Sequence, residues 1–125
     1  MNASDKNKIA QAVALYFDGL YHSDVARLAE VFHPKAIYVC ATQTPLVYKT
    51  MEEYFPIVAA REAPASRNEP RADELVSIEF AGPHTAFVKA YCRIGPKYFT
   101  DFLTLIHVDG SWKIISKVFH YELDA

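Results

Sequence analysis

Asp101 stands in the run Phe99-Thr100-Asp101-Phe102-Leu103-Thr104-Leu105. In an extended segment side chains alternate between faces, so Asp101 shares its face with Phe99 and Leu103. A carboxylate among apolar neighbours is costly to bury without a partner. The position is therefore either a structural polar pair or a working group in a pocket. His120, near the end of the chain, is the candidate partner. A carboxylate beside an imidazole orients the ring and raises its pKa, which makes a general acid/base pair. Tyr16 lies in an amphipathic segment, where an aromatic side chain normally packs, yet its hydroxyl needs a partner when buried and could serve as a hydrogen-bond donor. Cys40 and Cys92 sit in apolar runs with no C-x-x-C spacing, and both read as small buried hydrophobes. Cys40 has pocket-type neighbours and keeps a second reading as a reactive thiol. His33 precedes a proline and reads as a cap or rim residue. His22, His84 and His107 form no ligand spacing, so no metal site and no cofactor are expected. Nucleophile-elbow, P-loop and dinucleotide-binding glycine patterns do not occur.

Composition narrows the classes further. A chain of 125 residues with 51% hydrophobic, 14% aromatic and 22% charged residues is that of a single folded domain, 1–125, rather than a disordered segment. Thirteen Lys+Arg against fifteen Asp+Glu give a net charge of −2, without the basic excess of a nucleic-acid binder. No apolar run approaches the roughly 18 residues that span a bilayer. Residues 1–8 lack the apolar stretch of a signal peptide, and a cytoplasmic location is expected.

The elements that must position these residues can be read from periodicity. Ile9, Ala12, Val13, Tyr16, Phe17 and Leu20 recur at three- and four-residue steps, predicting a helix over 4–21 capped by Ser4. Ser23 is expected to cap a second helix that ends near Phe32, before His33-Pro34. Residues 36–41 read as a strand, with 45–49 returning beside it. Thr50-Met51-Glu52-Glu53 is a capping box opening a third helix to about Arg61, with Pro56 inside it. Residues 62–70 form a loop. Four strands follow at about 73–80, 85–94, 97–108 and 111–121, and Asp109-Gly110 is a strong two-residue hairpin signal. The order predicts an α+β domain with three helices on one face of a curved, mainly antiparallel sheet.

A two-residue turn at Asp109-Gly110 pairs Val108 with Ser111 and fixes the register of the last hairpin. Phe99, Asp101, Leu103, Leu105, Trp112, Ile114, Ser116, Val118 and His120 then share one face, together with Ala86, Val88, Ala90 and Cys92. This face is expected under the helices. Phe99 pairs with His120 in that register, placing His120 diagonal to Asp101 and Ser116 diagonal on the other side. The small residues Ala86, Ala90, Cys92 and Ser116 predict free space there, a small-molecule pocket. Its expected ligand-binding residues are Tyr16, Cys40, Ala90, Phe99, Asp101, Ser116 and His120, and its expected catalytic residues Asp101, His120 and Tyr16. The opposite face would carry Phe87, Tyr91, Phe102, Ile115, Lys117 and Phe119, too apolar for open solvent. A homodimer through Phe87, Tyr91, Phe102, Ile115 and Phe119 is the expected cover. A bulge would swap faces locally.

The element order resembles the nuclear transport factor 2-like superfamily. Within it, Phe99-Thr100-Asp101-Phe102-Leu103-Thr104-Leu105 and the run from Val108 to His120 are similar to the family described as "putative lumazine-binding". Tyr16-Phe17-Asp18-Gly19-Leu20 and Phe32-His33-Pro34-Lys35-Ala36 fit the same pattern. The resemblance implies a cone-shaped, cystatin-like α+β fold that often dimerises. Relatives include ketosteroid isomerase, scytalone dehydratase and polyketide cyclases. Isomerase-like members use a carboxylate base with a Tyr and a protonated Asp as donors. Tyr16 and Asp101 could match the donors, but residues 36–50 contain no Asp or Glu, and Cys40 lies about where the base would stand. Dehydratase members use a His–Asp pair.

Three functions follow as expectations: a homodimeric domain that binds a small apolar or aromatic molecule, a lyase or isomerase using Asp101 and His120, and a structural interaction domain. Neither nucleic acid nor membrane is an expected partner.

Overall fold

The computed structural model describes residues 3–123. Helix α1 (Ala3–His22) buries Ile9, Val13, Tyr16, Phe17 and Leu20 along one stripe, as the periodicity requires. Ser4, the expected cap, lies inside the helix instead, which already includes Ala3. Helix α2 (Val25–Val31) is capped by Asp24 rather than Ser23: Ser23 turns through φ 49°, and the Asp24 carboxylate accepts from Arg27 N. Helix α3 (Met51–Ala60) opens on the predicted capping box, with Thr50 and Glu53 bonded reciprocally.

The strands are β1 (Phe32–Cys40), β2 (Val47–Thr50), β3 (Glu74–Phe80), β4 (Thr85–Ile94), β5 (Lys97–Val108) and β6 (Ser111–Leu123). They form one sheet in the order β2-β1-β6-β5-β4-β3. Among the described residues only the β1–β6 pairing is parallel. Helices and inner sheet face share one core, which includes Ile9, Tyr16, Leu28, Val88, Leu103 and Ile114.

The last hairpin decides what faces that core. Asp109 and Gly110 take φ 51° and 82°, and Val108 pairs with Ser111 as their turn chemistry demands. The register holds through Leu105 and Ile114, then shifts: Thr104 pairs with Ser116 and Asp101 with Phe119. Ile115 is the extra residue of a β-bulge, and beyond it every side chain of β6 lies on the face opposite to that expected. Lys117 and Phe119 turn inward and are buried, while Val118 and His120 are exposed. His120 is not diagonal to Asp101; its Nδ1 is hydrogen-bonded to Thr42 Oγ1 at 2.6 Å, at the surface. Ser116 shares that outer face with His120. The expected Asp101–His120 acid/base pair is therefore corrected, together with the inward placement of Ser116. Phe119 is likewise withdrawn from the outer face, and Ile115 sits half-buried at the bulge. The places of Phe87, Tyr91 and Phe102 on the outer face are as expected, with 36%, 39% and 44% exposure.

Candidate functional site

Three elements meet below the open end of the cone: α1 brings Tyr16, β5 brings Asp101, and the bulged β6 brings Lys117. All three are buried, Tyr16 and Asp101 completely. The Tyr16 hydroxyl donates to Asp101 Oδ2 at 2.5 Å, and Lys117 Nζ stands 4.0 Å from the same oxygen. Cys92 Sγ, on the neighbouring strand, lies 3.9 Å from it. Asp101 Oδ1 is buried with no hydrogen-bond partner among the described residues. The Lys117 ammonium is caged by rings, 5.2 Å from the centroids of Tyr16 and Tyr38 and 4.9 Å from that of Phe119. Tyr38 in turn stacks on Tyr54 with centroids 4.2 Å apart.

The charges fix the protonation states. Burial lowers the Lys117 pKa, but Asp101, with Tyr54, Tyr38 and Cys92 adding to it, more than reverses this, and the ammonium titrates above its ordinary value. Burial, then Asp101, holds the Tyr16 phenol well above its usual range, so it remains a donor. The same two causes push the Cys92 thiol up to about 12, which makes it an inert thiol. An ammonium and a phenol thus share one carboxylate oxygen in a dry floor.

Above this floor opens a cavity of about 560 Å3, within the range of small-molecule sites. Its walls include Tyr38, Phe99, Phe119 and Tyr121, with Cys40 and Val47 beside them. A smaller chamber of about 10 Å3, space for about one water molecule, shares Tyr38, Arg61, Ile94 and Phe99 with it and reaches Lys117. Arg61, at the C-terminal cap of α3, lines both. Its Nε and Nη2 are buried without a hydrogen-bond partner. Leaving such donors unpaired costs about 1–3 kcal/mol, more for charged groups.

Of the residues expected at the pocket, Cys40 and Phe99 line the cavity, while Tyr16 and Asp101 line neither space and are buried beside Lys117, which lines the inner chamber. Ala90 is fully buried in the core and lines neither space, so the small residue there marks close packing and not free volume. Lys117, Tyr38, Tyr54 and Arg61 were not among the expected site residues. One signal for Lys117 was present: Ile114-Ile115 places two branched apolar residues in succession, where strict alternation calls for a polar one.

Residues 4–120 match the family described as "Putative lumazine-binding". The chain belongs to this family. Solved structures similar to it share its fold. An NTF2-like protein of unknown function from Shewanella baltica is 19% identical, with a TM-score of 0.85 over 98% of this chain and 97% of that one. Another, from Silicibacter pomeroyi, is 21% identical, with a TM-score of 0.81 over 98% and 100%. A ketosteroid isomerase-like protein from Erwinia carotovora atroseptica is 12% identical, with a TM-score of 0.74 over 97% and 98%. These likenesses establish the NTF2-like, cystatin-like fold of this family member. Among curated proteins, the aldolase FrzH from Cladobotryum sp. is 45% identical over 40 residues, a stretch covering 30% of this chain and 32% of the aldolase. Among the described residues, no helix is long and apolar enough to cross a membrane.

Proposed function

We propose that this domain binds a small, partly aromatic molecule in the cone. The cavity of about 560 Å3 carries the reading, because four aromatic rings, Tyr38, Phe99, Phe119 and Tyr121, line it, and two of them, Tyr38 and Phe119, also pack on the buried Lys117 ammonium. Aromatic and apolar walls that also carry polar groups are what ligand sites offer. The family description agrees, since it names lumazine, a two-ring heteroaromatic compound. Val47, half-exposed on β2, lines the cavity and can be enlarged without disturbing the core. Thermal-shift screening of one- and two-ring heteroaromatic compounds should give hits that raise the melting temperature by several degrees at about a hundredfold excess over Kd. Those shifts should vanish in Val47→Trp. A panel without hits, or hits indifferent to Val47→Trp, contradicts the reading.

The working unit is a homodimer joined through the outer sheet face. Phe87, Tyr91, Phe102 and Val118 support this, being exposed there by 36%, 39%, 44% and 42%.

A lyase reading draws on Lys117. The ammonium lines the inner chamber and stays charged beside Asp101, so it would act as an electrostatic donor to a developing enolate and not as an amine nucleophile. The short aldolase likeness points the same way. Turnover abolished in Lys117→Met, with ligand binding retained, would favour this over binding alone.

A further inference from the structure

We propose that the ligand of the cone carries a carboxylate, held side-on by Arg61. This rests on the small-molecule reading and names the chemical class of the ligand. The two unpartnered buried atoms of Arg61 are Nε and Nη2. These form one edge of the guanidinium plane, and their two parallel N–H bonds match the two oxygens of a carboxylate. Arg61 lines both the open cavity and the inner chamber, and the fork is the buried edge of a side chain that both spaces touch.

The other charges leave the fork unopposed. Lys117 is neutralised by Asp101 at 4.0 Å. At the mouth, Arg67 is occupied by Glu62 and Glu69, at 3.6 and 3.5 Å. Among the described residues Glu62 is the one carboxylate on the cavity wall, and Arg67 answers it. Lys97 adds a further cation, placed 4.5 Å over the Tyr121 ring. The cavity is thus cationic in a chain whose net charge is −2, so the local sign is a property of the site and not of the whole protein. Tyr38 and Phe99, on the same walls as Arg61, supply apolar contact for a ring attached to the carboxylate.

Calorimetric titration with 2-naphthoate and 2-naphthamide separates the charge from the ring. The wild type should bind 2-naphthoate at least about tenfold more tightly than the amide. In Arg61→Gln the two affinities should come within about twofold, through loss of naphthoate binding with the amide unchanged. Arg61→Lys, which keeps the charge without the fork, should restore only part of the preference. Equal affinities in the wild type, or a preference that survives Arg61→Gln, would overturn the proposal. The wild-type comparison stands even if a variant fails to fold. Amide binding that Val47→Trp abolishes, with naphthoate no tighter, defeats the carboxylate alone and leaves the cavity reading intact. Absence of binding by either probe defeats both.

Discussion

Asp101 and Lys117 are the buried charged side chains among the described residues, and they face each other as an ion pair, with the Tyr16 hydroxyl donating to the same carboxylate oxygen. Removing one partner of such a pair typically costs about 3–5 kcal/mol, because the remaining charge stays buried and unpaired. Asp101→Asn and Lys117→Met should each lower stability by that order in urea denaturation. The double variant should lose clearly less than the sum, the mark of direct coupling. The same floor makes alkali destabilising. The folded pKa values of Cys92, Tyr16 and Lys117 are all raised, so above the unfolded pKa of each the native state binds more protons than the unfolded state. Their stabilisation is complete below about pH 8.5 for the thiol and about pH 10 for the phenol and ammonium, then is lost as pH rises. Each group contributes a slope of about 1.4 kcal/mol per pH unit while it titrates only in the unfolded chain. Melting temperature should therefore begin to fall near pH 8.5, and Cys92→Ala should delay the onset towards about pH 10. An onset unchanged in that variant would remove Cys92 from the account.

At the scale of elements, the bulge at Ile115 sets the site. Deleting Ile115 should remove the extra residue and leave Ile114, Lys117 and Phe119 facing inward in unbroken alternation, with the pairing of Thr104 to Ser116 and of Asp101 to Phe119 unchanged. The expected outcome is a folded variant that keeps its ligand response, measured by thermal melts with and without a screening hit. A deletion variant that folds but has lost the ligand response would contradict the role given to the bulge as a single-residue spacer. Gly19 tests the helix pair separately: a Cβ there would stand 2.6 Å from Leu28 Cδ2 and 2.8 Å from its Cγ. Leu28 is fully buried and has little room to yield, so Gly19→Ala should destabilise by about 1–3 kcal/mol in denaturant titration. These elements also explain what the sequence disclosed. Helical stripes, the Thr50–Glu53 capping box and the Asp109-Gly110 turn are local signals, and the α+β order followed from them. The Tyr16 and Asp101 positions were legible because a polar group interrupting an apolar pattern is itself local. Lys117 was harder to read: the Ile114-Ile115 pair is its one local signal, and the turn gives no warning that a single extra residue reverses every later side chain. Arg61 was hidden for another reason: at a helix end it looks like a solvated cation, and the burial of its fork comes from tertiary packing that no local signal carries.

For the whole molecule, the outer sheet face leaves Phe87, Tyr91, Phe102 and Val118 exposed. A standard interface hides about 800 Å² per partner, and aromatic side chains bury roughly 150–250 Å² each. Phe87 and Phe102, with ring centroids 5.4 Å apart, would sit at its centre. Phe102→Glu should place two charges at a closed twofold contact and yield monomer or aggregate by sedimentation. A monomeric wild type at micromolar concentration would contradict the assembly. The cone itself is independent of that interface, since the cavity opens on the opposite face of the sheet. Its occupancy is most directly tested by crystallography of the protein with a compound from the thermal-shift screen. The account predicts density for the ring against Phe99 and Tyr38, above the Asp101–Lys117 floor. Density for the compound on the outer sheet face, with the cone unchanged, would contradict it.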